Sequence, residues 1–390
     1  MTVTVKQASI KKIPKLRFPK FSGDWNEGTL GDVCIILKGK GLAKDDITEN
    51  GSNKCIRYGE LYTEYRETIN YVKSRTNISR TESLLSKKND VLIPSSGETA
   101  LDIARSSCVK EDDIILGGDL NVLRLIEGQN GDFFAYYLSN FQNKNIAKIA
   151  QGHSVVHLYA SQLKNLKIKI PSAQEQQEIA SCLMLTSEWI KNLQTHKELL
   201  ESYQRGIMQK IFTQEIRFRD DDGNNFPMWN NRILGEVLRI GSGKDYKHLE
   251  RGNIPVFGTG GYMFSVNKSL YSGETVFIGR KGTIDKPFYY NGDFWTVDTL
   301  FYTHSFKGIT PKFTSYIFQK INWQKYNEAS GVPSLSRATI EKIKINLPSL
   351  HEQQKITNFL ESADNLIELK SQQIIHAEQW KKGLLQSLLI

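Results

Sequence analysis

The 390-residue chain carries one stretch twice, and that duplication restricts the folds open to it more than any other feature. Residues 166–212 open LKIKIPSAQEQQEIA and close YQRGIMQKIF, and residues 343–389 open IKINLPSLHEQQKIT and close WKKGLLQSLL. At a fixed offset of 177, without a gap, 13 of the 47 positions are identical. Unrelated stretches would share roughly three, so the pair is an internal repeat. In each copy a short alternating run ends at Pro171 or Pro348 and a long mixed polar and apolar run follows. Proline suits the entry to a helix, where its missing N–H would have no partner anyway.

Spacing predicts that both long runs are helices. Ile179, Thr186, Leu193, Leu200 and Ile207 recur every seven residues. Cys182, Trp189, His196 and Tyr203 sit three residues after the first four, and Leu183, Ile190 and Ile211 widen the stripe. In the second copy Ile356, Ala363, Ala377 and Leu384 keep the heptad, flanked by Phe359, Leu360, Leu366, Ile367, Ile374, Trp380 and Leu388. A sustained heptad keeps one apolar seam facing a partner helix, the pattern of a coiled coil. His196, Lys370 and Gln373 interrupt the expected seam near its middle, where polar residues fix register. Two ordinary core helices are the alternative. A helix of about 39 residues, about 58 Å at 1.5 Å per residue, generally needs a helical partner along its length.

The formal net charge of +9 and a pI near 9.1 favour a polyanion such as DNA as partner, although charge alone does not single one out. Cys34, Cys55, Cys108 and Cys182 are scattered without a C-x-x-C pair, which points to a reducing compartment and away from a zinc ribbon. No apolar run approaches 18 residues, and the basic N-terminus lacks an apolar core. The reading is a soluble cytoplasmic protein with no membrane partner.

The repeat is larger than the helix. KLRFPKFSGDWNEGTLGDV near the start is echoed after the first long run by EIRFRDDDGNNFPMWNNRILGEV. Arg17-Phe18, Trp25 and Leu30-Gly31 answer to Arg217-Phe218, Trp229 and Leu234-Gly235. The offset falls from 204 at the tryptophans to 177 at the helices, so the first globular segment is longer by 27 residues. The organisation expected is a lead-in over 1–14, a globular domain over 15–171, a helix over 172–213, a second domain over 214–348 and a second helix over 349–390. In the first domain VCIIL, DVLIP and NVLRLI are short β-rich runs; IPVFG, ETVFIG and FWTVDTLFYTH play those parts in the second. Each domain then offers a short helix, FFAYYLSN or FTSYIFQK, and a looser loop before its proline.

The doubled order RF…W…LG-[DE]-V, strand-rich segment, I-x-[IL]-P-S-x-x-EQQ-x-I and long helix resembles the specificity subunit of type I restriction–modification enzymes, over about 15–390. The resemblance implies an α/β (α+β) fold. Two strand-rich target-recognition domains are separated by two long antiparallel coiled-coil helices in a pseudo-two-fold internal repeat. It also implies a DNA reader that is not itself catalytic. Two modification subunits would bind S-adenosylmethionine and methylate adenine, and two restriction subunits would use ATP and Mg; this chain would bind no cofactor. Gln176, Gln177, Gln353 and Gln354, at the helix starts, are the candidate contacts to partner subunits.

The residues agree with a non-catalytic role. No Pro-Pro run of the kind that holds a flipped adenine is present, and no G-x-x-x-x-G-K-[ST] phosphate loop. FGTGGY at 257–262 follows a β-run but leads into no helical pattern, which predicts a hairpin turn. His153 and His157 have i, i+4 spacing in a loop or strand, where it does not converge on a metal. Glu274 and Asp285-Lys286 lack a supporting arrangement for nuclease chemistry and read as turn residues.

A DNA reader needs Lys and Arg for phosphates, and Arg, Asn, Gln, Ser or Thr for base edges. The first domain offers Lys38, Lys40 and Lys44; Arg57, Tyr58, Tyr62 and Arg66; Lys73, Arg75 and Arg80; and Ser95, Ser96 and Thr99 in PSSGET. The second offers Lys244, Tyr246, Lys247 and Arg251; Thr259 and Tyr262 in FGTGGY; and Arg280, Lys281 and Thr283 in GRKGT. Glycines beside these cations are expected to let backbone approach DNA closely. The mechanism expected is that each domain reads one short half-site of double-stranded DNA while the coil fixes the gap. Domains of different length and loop content make the target asymmetric. Two other classes stay open: a coiled-coil scaffold whose domains bind protein or glycan, and a self-contained methyltransferase, which the missing Pro-Pro run disfavours.

Overall fold

The computed structural model describes residues 13–152 and 154–390. Residues 1–12 of the expected lead-in, and His153 of the expected histidine pair, lie outside the described residues. The chain divides into two compact units, Met1–Thr195 with Ser371–Ile390, and His196–Lys370.

In the first unit a five-stranded sheet has the order Cys34–Lys38, Leu120–Leu125, Val91–Pro94, Ser107–Val109, Thr68–Ile69. The three β-rich runs expected from sequence supply its first three strands. Alternation along a strand sends successive side chains to opposite faces, and here both faces are buried. Val91, Ile93 and Leu123 join the larger core, with Phe133, Phe134 and Tyr137 of the helix Gly131–Asn140. Leu92, Leu120 and Val122 face a second core with Ile56, Leu61 and Ile69. A separate four-stranded sheet (Arg75–Thr76, Asn53–Ile56, Ile115–Leu116, Leu84–Leu85) belongs to this unit, the one with the longer globular segment.

The second unit is built on a six-stranded sheet ordered Arg239–Ser242, Leu300–His304, Tyr271–Gly279, Phe288–Thr296, Arg251–Gly258, Gly261–Val266. The run FWTVDTLFYTH supplies parts of two strands rather than one, broken by the turn at Val297–Thr299. FGTGGY is the hairpin turn expected, with Gly258 opposite Gly261. Val276 and Ile278 point into a core with Phe313 and Tyr316 of the helix Pro311–Lys320, while Phe277 joins an aromatic cluster with Phe257, Phe294 and Tyr302 on the other face. Each short helix starts at a side-chain cap: Asn130 accepts from the Phe133 N–H and Thr310 from the Phe313 N–H.

The duplicated segments fold alike. Asn26–Thr29 pairs antiparallel with Lys167–Ile170, and Asn230–Ile233 with Lys344–Leu347, in the same register after the two offsets. A central helix, Ala173–Phe212, and a C-terminal helix, Leu350–Leu388, follow the two prolines. Within the first unit the two helices run antiparallel. Leu183 shares a cluster with Leu384 and Leu388, and further along Ile190 and Leu193 pack on Ile374 and Ala377. Within the second unit Met208 and Ile211 pack with Ile356 and Leu360, and Gln204 donates to Asp364 (2.6 Å), again antiparallel.

One detail of the seam departs from expectation. Ile179, Thr186 and Leu193 are buried, but the second stripe lies four residues on, at Leu183, Ile190 and Ile211, not three. Trp189 and Tyr203 are 47% and 58% exposed, and His196 is exposed outside the seam. Apolar residues are adjacent at 182–183 and 189–190, so either spacing fits the sequence. The aliphatic members take the interior, and Trp189 meets Trp380 edge-to-face at 6.1 Å on the rim, where an indole keeps one polar edge wet. Phe359, Leu366 and Trp380 are likewise exposed at the margin, while Lys370 and Gln373 are half-buried.

The end of the C-terminal helix packs beside Leu16 and Trp25. Leu388 and Leu389 are buried in the same core as Trp25, and the Leu16 N–H donates to the Ser387 carbonyl (2.9 Å).

Candidate nucleic-acid interface

The EQQ at the head of each long helix fastens that helix to its globular part. Glu175 accepts two bonds from Arg17, Nε to Oε1 and Nη2 to Oε2, both 2.8 Å, and one from Trp25 Nε1 (3.2 Å). Glu352 accepts from Arg217 in the same forked way (3.1 and 2.8 Å) and from Trp229 Nε1 (3.1 Å). A planar guanidinium matches a carboxylate two bonds at a time, which fixes orientation as well as distance. The Glu175 hydrogen bonds also raise the Arg17 pKa above its ordinary value. The glutamines that follow reach the short helix. Gln176 accepts from the Asn130 N–H and donates to the Pro171 carbonyl, and Gln353 accepts from the Thr310 N–H and donates to the carbonyls of Gly308 and Pro348. Gln176 and Gln353 are fully buried, so a partner subunit cannot touch them, contrary to expectation. Gln177 and Gln354 are exposed; Gln177 accepts from Asn130 Nδ2, and Gln354 donates to Asn358.

Two candidate loops occupy equivalent places. The strand Val91–Pro94 runs into Ser95-Ser96-Gly97, and the strand Tyr271–Gly279 runs into Arg280-Lys281-Gly282. In each unit the segment approaching that unit's own proline motif returns over this loop. The Leu158 N–H donates to Ser95 O (2.9 Å) with Val156 opposite Gly97; the Leu335 N–H donates to Arg280 O (2.9 Å) and the Gly282 N–H to Pro333 O (2.8 Å). Leu158 and Leu335 are separated by the same 177 positions as the helices. Ser95 therefore corresponds to Arg280, Ser96 to Lys281, and Ala160 to Arg337.

In the second unit this junction opens into a cavity of about 410 Å³ lined by Ser242, Arg280, Lys281, Phe301, Ser336 and Arg337 among others. Arg280 is held over the Phe301 ring (6.0 Å) with Nη1 on the Asp298 carbonyl (3.2 Å), and Arg337 Nη2 donates to Ser242 Oγ (3.0 Å). The hairpin turn lies close by, since a Cβ on Gly282 would stand 3.8 Å from Thr259 Oγ1. Burial holds the nearby His304 imidazole below its usual range, and the charges of Arg337 and Arg239 push the same way. In the first unit the corresponding loop meets the Arg57–Arg66 segment, where the Tyr62 hydroxyl donates to Ser96 O (3.0 Å) and Tyr58 packs edge-on against Tyr62 (6.2 Å). Burial pushes the Tyr62 phenol well above its ordinary pKa.

Other candidates are scattered or already engaged. Lys38, Lys40, Lys44, Arg66, Thr99, Lys244, Lys247, Arg251 and Tyr262 are exposed; Arg57, Ser96, Tyr246, Thr259 and Thr283 are half-buried; Ser95 is buried. Arg75 is bound to the carbonyls of Gly51 and Ser52, Lys73 to Glu64 and Arg80 to Asp113. The glycines beside the cations do not all serve an outside ligand. A Cβ on Gly39 would fall 1.9 Å from Gly117 O, and one on Gly279 2.0 Å from Thr283 O, so both allow close approach within the protein itself. Sequence reasoning missed Arg337 and Ser242, and also Arg105, which lines a cleft with Tyr62 and Arg66.

The family model for the type I restriction modification DNA specificity domain matches this chain twice, over residues 22–202 and 228–379. The chain belongs to that family. It is 25% identical to the type I restriction enzyme MjaVIII specificity subunit of Methanocaldococcus jannaschii, across 98% of this chain and 96% of the relative. Its fold matches the crystal structure of the type-I restriction-modification system S subunit from M. genitalium with a TM-score of 0.65 at 20% identity, covering 96% and 98% of the two chains. A further solved chain, from work on complex assembly and conformational transition of the type I R-M system, matches at 0.57 and 16%, covering 94% and 97%.

As a type I specificity subunit the protein is a non-catalytic component of its system, and recognition of a DNA target is the role its family implies. Membership displaces the reading of a scaffold for protein or glycan. Among the described residues no three His, Cys, Asp or Glu side chains could together hold a metal ion, and no helix is long and apolar enough to cross a membrane. The acids once considered for nuclease chemistry have local roles: Glu274 accepts from the Tyr289 hydroxyl (2.5 Å) and Asp285 from Gln324 (3.4 Å).

Proposed function

We propose that this specificity subunit reads a bipartite, asymmetric DNA target, one half-site per globular domain, and that its paired helices set the gap between them. The observation that carries this reading is the same clamp built twice around different loops. Arg17, Trp25 and Glu175 repeat as Arg217, Trp229 and Glu352, while Ser95-Ser96 on one domain stands where Arg280-Lys281 stands on the other. A constant frame with changed loops suits two readers whose contacts to DNA differ from one domain to the other.

Each domain, with the adjoining helix end, docks one modification subunit, which carries S-adenosylmethionine and flips an adenine out of the stack. Two restriction subunits using ATP and Mg complete the complex. Gln177 and Gln354, the exposed members of the glutamine pairs, remain the candidate contacts to those partners.

Exchange of residues 214–342 for the equivalent segment of a relative tests the modular reading. One half-site is expected to change while the other stays as it was. Loss of both half-sites together would overturn it.

A further inference from the structure

The equivalence of the two loops supplies an internal control. Both units build the same backbone junction, with the same hydrogen bonds from Leu158 and Leu335. The first does so with Ser95, Ser96 and Ala160, and the second with Arg280, Lys281 and Arg337. The fold therefore does not require cations at these positions. Placing three around one open cavity repels all of them, a cost that calls for an anion in return. Among the described residues none of the three makes an ion pair. Glu328 is the one carboxylate on the cavity wall, and it is engaged by the hydroxyls of Ser336 and Thr339. Three positive charges against one negative leave the cavity basic.

The shape narrows the anion. The two guanidiniums are steadied by groups that are not acids, Arg280 by Phe301 and Asp298 O, and Arg337 by Ser242 Oγ. Ser242, Ser334 and Ser336 line the same cavity. Readout of a base edge needs side chains that project into a groove. A concave site ringed by cations and hydroxyls instead receives a group that protrudes from its own polymer, as a backbone phosphate does.

We propose that this cavity seats one backbone phosphate of the DNA at the second domain's half-site, with Arg337 as a phosphate contact alongside Arg280 and Lys281. The proposal rests on the DNA-reading function above. Because the first domain carries no charge at the equivalent positions, its hold on phosphate must come from elsewhere.

The test uses the complex with its modification subunits and a duplex carrying the motif that the complex methylates. Binding is measured against salt concentration for the wild type, Arg337→Gln and Arg337→Lys. Arg337→Gln is expected to weaken binding about tenfold on all sequences alike and to flatten the salt slope by about one, whereas Arg337→Lys keeps the slope. Neutralising phosphates one at a time with methylphosphonate should reveal one position in a single half-site where the wild type loses about tenfold and Arg337→Gln loses nothing more. The proposal is overturned if Arg337→Gln leaves affinity and slope unchanged, if the two losses add, or if discrimination relaxes at one base pair with the slope intact. If the wild-type complex shows no preference for its motif at any salt, it is the underlying function that fails. Arg337 is exposed, so the variant is expected to melt like the wild type.

Discussion

Removing one clamp carboxylate should loosen one unit and spare the other. In Glu352→Ala the lost side chain is 1% exposed and held three bonds, two from Arg217 and one from Trp229. Breaking a buried ion pair by deleting one partner costs about 3–5 kcal/mol, because the other charge stays dehydrated. Arg217 is 22% exposed and keeps its bond to the Pro227 carbonyl (2.7 Å), which places the expected cost near the lower end, about 3 kcal/mol. Glu352→Gln keeps the shape and one acceptor and should cost about 1–2 kcal/mol. As a control, Glu178→Ala removes an exposed pair with Lys20 and should stay within about 0.5 kcal/mol. A chain with two compact units need not unfold in one step, so native-state hydrogen exchange is the suitable assay. In Glu352→Ala the ribbon of Asn230–Ile233 with Lys344–Leu347 should lose protection by about two orders of magnitude, at 1.4 kcal/mol per tenfold. The ribbon of Asn26–Thr29 with Lys167–Ile170 should be unaffected. Glu175→Ala should give the mirror result. A change below 0.5 kcal/mol, or equal losses in both ribbons, would refute the assignment of the motif to an internal clamp.

Two further perturbations address the repeat. Inserting three heptads into the central helix after Leu193, matched by three before Ile374, preserves the seam and lengthens both helices by about 31 Å, close to one turn of DNA. The gap in the methylated motif should then grow by about nine or ten base pairs with both half-sites unchanged; an unaltered gap would show that the helices are not the ruler. Joining the C-terminus to the chain start through a short flexible linker and reopening the chain at 213–214 should give a folded protein with the same target. The 2.9 Å bond between Leu16 and Ser387 already brings these segments together. Loss of folding or a changed target would contradict a circular arrangement.

Much of this architecture was legible because it leaves a periodic or repeated trace. The heptad, the prolines and the paired RF…W and EQQ motifs marked both long helices and the doubling, and the alternating runs marked most principal strands. What EQQ does was hidden. Glu175 finds Trp25 across 150 positions and Glu352 finds Trp229 across 123, and contacts so distant impose no spacing on the sequence. The second stripe of the seam was undetermined because Cys182 and Leu183, and Trp189 and Ile190, offer apolar side chains at both spacings, and only packing chooses between them. Arg337 stood as a single cation in a serine-rich loop. Its meaning comes from Arg280, 57 positions earlier, and from Ala160 in the same place on the other unit. Arg75 shows the converse, a plausible DNA contact by type that the fold commits to the backbone of Gly51 and Ser52.

The most direct measurement is the sequence context of methylated adenine in the DNA of cells expressing this chain with its cognate modification subunit. Two different specified blocks, separated by a gap of fixed length and no sequence preference, are the result predicted. A single continuous block, or two blocks that are copies of one another, would contradict a subunit whose two domains read different half-sites.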